Sequence, residues 1–143
     1  MVRTSHLAKI VRKLSMANAH PTIFVLWGEH FDEAAAVLVI TSLRAAGLRV
    51  KVVGLGGRCV KGMHGLGLLA DLTLDQALAQ ADQARCVVIP CTPQRFQRAR
   101  DDPRVGEFLN RTVGAGARFV VGLRDSRDVD IPTSSLPTNQ LVC

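Results

Sequence analysis

Two residues of this 143-residue chain have the chemistry of a thiol nucleophile and its base. Cys91 follows the apolar run at 86–90 (CVVIP), and His30 lies just after the run at 22–27 (TIFVLW). A cysteine attacks as the thiolate, and a nearby imidazole is a common means of making one at neutral pH. The pair can work only if the two loops meet; otherwise Cys91 is an inert or merely oxidisable thiol. Glu29, Glu33 and Thr92 flank the pair in sequence and are candidates to contact a ligand, although an exposed loop accounts for them equally well. His6, His20 and His64 show no partner spacing. Cys59, Cys86, Cys91 and Cys143 form no CxxC or Cys/His pattern, so no metal site and no cofactor are expected and the cysteines read as free thiols.

These residues are positioned by a strand, helix, strand unit over 22–54. Residues 22–27 are a short apolar run with β-branched and aromatic members, as in a strand buried on both faces, and Trp27 at its end reads as core. Residues 32–46 are rich in Ala and Leu and end at Gly47, the residue best suited to the left-handed position after a helix. Residues 49–53 are a second, Val-rich strand. Two strands joined in this way are parallel with a right-handed crossover. Ligands of open α/β sheets bind beyond the carboxyl ends of the strands, which makes residues 28–33 the functional edge.

The remaining elements follow the same logic. Residues 54–67 (GLGGRCVKGMHGLG) are dense in glycine but fit neither GxxxxGK[ST] nor a GxGxxG placed between strand and helix, so they read as a turn-rich excursion that either adds a short extra hairpin or supplies one or two edge strands over 60–69. Thr73 and Gln76 have capping-box spacing and predict a helix to about residue 81. Residues 86–90 are a buried strand, 94–100 a basic surface turn or short helix, and Asp102-Pro103 opens a helix striped by Val105, Phe108, Leu109 and Val113. Residues 118–123 are the next strand, and the tail from 126 is irregular, with Leu141 and Val142 at most a short strand.

An apolar fraction of 48% with 21% charge places the chain among globular proteins and excludes a disordered one. No apolar run is long enough to span a bilayer and no secretory signal is evident, so a cytoplasmic protein is expected. Residues 1–21 form a separate basic segment with Leu7, Ile10, Val11 and Leu14 at helical spacing. It suits a helix docked on the body or on a second subunit, an arm that contacts nucleic acid, or a presequence or membrane-surface helix. The net charge of +6 permits an acidic partner without requiring one.

With its elements in this order, the chain resembles the ThiJ/PfpI family of the class I glutamine amidotransferase-like superfamily. The likeness runs over about 22–125. It rests on LRAAG (43–47), VVGLGG (52–57), GLGLLADLTLDQAL (65–78), VVIP (87–90), DPRVGEFL (102–109) and GARFVVG (116–122). It implies a flavodoxin-like three-layer α/β sandwich with a mainly parallel sheet, over 22–143 and truncated at the C-terminus. Family enzymes carry a cysteine on a strained turn after the last of these strands, a position matched here by Gly122. They carry a glutamate on the first helix where this chain has Ala35, with Glu33 half a turn earlier. Their glycine pair after the VVIP-like strand is Cys91-Thr92 here. Arg124, just past Gly122, either holds an anion in the old pocket or pairs with Asp125 or Asp128.

The resemblance therefore implies a non-catalytic protein that works by binding itself, a protein partner or a small ligand. One alternative is a cysteine-dependent enzyme or redox sensor with a relocated site at Cys91 and His30. Another is a nucleic-acid-associated protein using the basic residues 1–21 and 94–100, although it has no tyrosine and few phenylalanines to interleave with them. A homo-oligomer is expected from the family and from the apolar stripe of residues 1–21.

Overall fold

The computed structural model of the chain describes residues 22–122. The amphipathic segment 1–21, Arg124, Cys143 and the tail lie outside the described residues. Within them the elements run β1 (Thr22–Trp27), α1 (Glu33–Ala45), β2 (Arg49–Gly54), β3 (Cys59–Lys61), β4 (Gly67–Leu69), β5 (Leu72–Thr73), α2 (Leu74–Leu78), a 3₁₀ turn (Ala81–Gln83), β6 (Ala84–Ile89), α3 (Pro93–Ala99), α4 (Pro103–Gly114) and β7 (Arg118–Val121).

Five strands form one parallel sheet in the order β5-β2-β1-β6-β7. β1 is its central strand and is buried along its whole length, which is why its sequence is apolar without alternation. α1 carries the chain from β1 to β2, and α4 carries it from β6 to β7 in the opposite lateral direction. Right-handed crossovers of opposite direction put their helices on opposite faces, so the sheet lies between two helical layers. Phe108 of α4 meets Phe24 of β1 edge to face, with centroids 5.4 Å apart.

Local chemistry sets the helix ends. Asp32 caps α1, its Oδ1 accepting the Ala35 N–H at 3.2 Å. At the other end Gly47 has φ +81, and the Leu48 and Gly47 N–H groups donate to the Leu43 and Arg44 carbonyls, the two bonds of a Schellman motif. The Thr73/Gln76 capping box forms with both of its reciprocal bonds. Asp102 caps α4 through the Arg104 N–H, with Pro103 at the first helical position.

The glycine-rich excursion forms the short extra hairpin that its sequence allows, but its strands are not edges of the main sheet. Its strands β3 and β4 pair only with each other, as an antiparallel hairpin separate from the main sheet. The Trp27 indole N–H donates to the Val60 carbonyl at 2.9 Å and the Met63 N–H to the Phe31 carbonyl at 3.0 Å, so the hairpin packs over the end of β1 instead of extending the sheet. The main-sheet edge goes to β5, two residues that pair with Val53 and Gly54. α2 stops at Leu78, and the chain reaches residue 81 through a turn and not a continuous helix.

Candidate functional site

β1 is where the strand order reverses: the chain goes from it to β2 on one side and later returns to β6 on the other. In open α/β sheets this switch point is where a crevice opens outside the carboxyl ends of the strands. Here the two exit loops do meet, because the Asp32 N–H donates to the Pro90 carbonyl at 3.2 Å. The loop after β1 is also folded on itself by a Phe31 N–H to Gly28 carbonyl bond of 3.1 Å.

A cleft of about 220 Å³ opens at this edge, lined by residues 28–31 after β1, Leu55 and Gly56 after β2, Arg95, Arg98 and Ala99 of α3, and Asp102 and Val105 at the start of α4. Of the sequence candidates it gathers Glu29 and His30. Glu33, Cys91, Thr92 and Gly122 do not line it. Arg95 and Arg98 have no sequence signature beyond a basic surface stretch. Their role in the cleft comes from α3 folding back across the edge.

Cys91 is 5% exposed, and burial, opposed by the charge of Arg95, pushes its thiol up to about 12. A thiol in that state presents almost no thiolate at neutral pH. Its N–H is also engaged, donating to the Ile89 carbonyl at 2.9 Å. Thr92 caps α3, its hydroxyl accepting the Arg95 N–H at 3.4 Å. Cys86 is likewise buried with its thiol at about 12, whereas Cys59 is exposed.

Glu33 has a different place from the one its sequence position suggests. Its carboxylate is buried under the hairpin, where Oε2 accepts the N–H groups of His64 at 2.8 Å and Leu66 at 3.0 Å. Oε1 lies 3.0 Å from the His64 ring Nδ1. Burial pushes the carboxyl up, but hydrogen bonds from the Leu66 N–H, its own N–H and the His64 ring and N–H outweigh it and hold the group at about 2. It therefore fastens the hairpin to the first turn of α1. The packing is tight: a Cβ on Gly62 would stand 2.5 Å from the Trp27 ring and 2.6 Å from Glu33 Cδ. His64 showed no partner spacing because its partner lies 31 residues away.

Gly122 directly follows β7 with φ +70, a left-handed conformation that costs glycine nothing and strains other residues. It is buried, and its N–H donates at 3.2 Å to the same Ile89 carbonyl that Cys91 uses. Ala35, on the first turn of α1, is also buried and offers no ionisable group.

A doubly wound parallel sheet, a crevice at its switch point and a left-handed turn after its last described strand define an α/β domain of the flavodoxin-like kind. The model of the DJ-1/PfpI family matches residues 21–121, and the chain belongs to that family. Among solved structures it is similar to a DJ-1 superfamily protein of Salmonella typhimurium, with 28% identity, a TM-score of 0.60, and coverage of 71% of this chain and 54% of that one. It is similar in fold to DJ-1beta of Drosophila melanogaster (24% identity, TM-score 0.65, covering 72% and 55%). The same holds for DJ-1 of Toxoplasma gondii (22% identity, TM-score 0.62, covering 71% and 54%). The match thus spans little more than half the length of each of these proteins. No curated protein matches the chain. No helix among the described residues is long and apolar enough to cross a membrane.

Proposed function

We propose that this chain is a non-catalytic member of the DJ-1/PfpI family that works by binding, to a second copy of itself and to a small ligand. The observation that carries the reading is Gly122: the turn after β7 has the left-handed backbone but no side chain to act as a nucleophile. Its surroundings support the same reading. Ala35 supplies no carboxylate, Cys91 is a buried thiol, and the Cys91 and Gly122 N–H groups both point at the Ile89 carbonyl and not at an open oxyanion position. Turnover tests it: the purified protein is expected to give no more product than buffer from glyoxal-type, amide or peptide substrates.

Support for self-association comes from exposed apolar side chains of the hairpin and of α1. Leu69 is 72% and Leu66 56% exposed on the hairpin, while Val37, one helical turn after Glu33, and Leu38 are about as exposed as surface residues. Exposed large apolar side chains are where an interaction surface is to be sought. Sedimentation velocity at micromolar concentration is expected to show a dimer that Leu69→Asp dissociates, with a dissociation constant raised about tenfold or more. A wild-type protein that stays monomeric contradicts this part of the reading.

A further inference from the structure

We infer that the cleft at the switch point binds a small organic anion, a carboxylate or phosphate monoester with a short apolar group, held by Arg95 and Arg98. The inference rests on the reading of the chain as a binding protein and names the ligand class of its site. It places that ligand apart from the turn at Gly122 and from Ala35, neither of which lines the cleft.

The charge arrangement comes first. Of the ion pairs among the described residues, Arg44 with Asp71, Glu33 with His64, Arg104 with Asp75 and Asp102, and Arg111 with Glu107, none involves Arg95 or Arg98. Two arginines of one helix, three residues apart, thus line the cleft without a counter-ion among the described residues. Asp102 also lines the cleft, but it is committed to Arg104, whose hydrogen bonds hold its carboxyl below the usual carboxylate range. Among the described residues that leaves exposed Glu29 as the acid of the lining outside any ion pair, against two cations, with His30 as a further polar residue of the lining. Guanidinium groups bind carboxylate and phosphate through paired, charge-assisted hydrogen bonds, which fits them to such an anion.

Shape and size narrow the ligand. Phe31 and Val105 are buried side chains of the cleft lining, and Leu55 is a partly buried one, so the lining has an apolar part beside its charges. At about 220 Å³ the cleft falls below the roughly 300–1,000 Å³ of sites that take drug-sized molecules. An anionic head with one ring or a short alkyl group fits both features.

The test is calorimetric titration of the full chain at low salt with phenyl phosphate, inorganic phosphate and phenol. Phenyl phosphate is expected to bind saturably, inorganic phosphate more weakly, and phenol not measurably. Arg95→Ala and Arg98→Ala should each weaken phenyl phosphate by about tenfold or more, Glu29→Gln should tighten it, and Arg118→Ala, an exposed arginine outside the cleft, should leave it unchanged. Glu29, Arg98 and Arg118 are exposed and Arg95 is half-buried, and unaltered circular dichroism confirms that each variant is folded. No saturable binding of phenyl phosphate up to about 10 mM, or binding unaffected by the Arg95→Ala/Arg98→Ala double change, overturns the inference. If substrates turn over while these anions bind as described, the non-catalytic reading falls and the site stands. If there is neither turnover nor binding, the site alone falls.

Discussion

Replacing Glu33 by Gln is expected to destabilise the domain by about 2 kcal/mol, and replacing it by Ala by about 3 kcal/mol. The carboxylate accepts from two backbone N–H groups and one imidazole nitrogen in a buried setting. Glutamine keeps the volume but offers a single acceptor oxygen and turns an NH₂ group toward donors, and alanine leaves all of them without a partner. Bonds to a charged acceptor are worth about 1.5–3 kcal/mol each, and orphaning a buried donor costs about 1–3 kcal/mol. For a domain of this size the midpoint of thermal unfolding should fall by on the order of 10 °C.

The same group gives a pH signature. A carboxyl held at about 2 when folded, against 4.5 as its ordinary value, binds fewer protons in the folded state than in the unfolded one. Its contribution to stability is therefore complete above 4.5 and is lost as the pH falls toward 2. Unfolding curves recorded across that window should show wild-type stability dropping steeply, and the Glu33→Gln variant dropping less. Identical acid profiles for the two proteins contradict the assignment of Glu33 as the hairpin anchor.

The second large effect is expected at Gly54, the last residue of β2. A Cβ there would stand far inside van der Waals contact distance of the Gly57 carbonyl oxygen, 2.9 Å from its carbon and 3.1 Å from Ala70 Cβ. The obstructing atom is backbone, so no side chain can swing aside and the turn itself must move. That turn holds Leu55, whose N–H donates to the Trp27 carbonyl at 2.8 Å and whose side chain lines the cleft. Gly54→Ala should cost about 3 kcal/mol, the upper end of the range for overpacking. Gly56→Ala is the matched control, because its Cβ meets only Val60 Cγ2 at 3.6 Å, an ordinary contact. It should stay within about 0.5 kcal/mol of wild type. Chemical denaturation of the two variants side by side distinguishes them. Equal midpoints would show that the turn after β2 is not packed as described.

Residues whose partners are close in sequence were the legible ones. Thr73 and Gln76, Asp102 and Pro103, and Gly47 each act within one turn of chain; the first two pairs start a helix and Gly47 ends one, as type and spacing predict. The strands β1, β2, β6 and β7 were legible because each carries a run of buried, mostly β-branched apolar residues. Other features depend on contacts between distant segments and leave no local pattern. β5 is two residues long and exists by pairing with β2, too short for any periodicity to register. The hairpin is fixed by Trp27 and Glu33, more than thirty residues upstream, and not by its own glycines. In the cleft, Glu29 and His30 were visible because the end of β1 marks a functional edge in any open α/β sheet. Arg95 and Arg98 were not, since a basic stretch on a short helix looks the same whether it faces a cleft or bulk water.

Cys91 shows how sequence position and chemical state can separate. It lies at a strand exit beside a loop that reaches it, as a nucleophile would, and the Asp32 to Pro90 bond brings the two loops together. Yet the thiol is buried, its N–H is engaged, and the cleft that takes His30 does not take Cys91. Burial in apolar surroundings raises a thiol's pKa, and the nearby Arg95 only partly offsets it.

The central claim, that this family member binds without catalysing, is tested most directly by steady-state turnover. Wild type and Cys91→Ser would be measured together on glyoxal-type, amide and peptide substrates at neutral pH. The account predicts that neither protein forms product faster than buffer. Turnover by the wild type would contradict it, and its loss in Cys91→Ser would assign the reaction to that thiol.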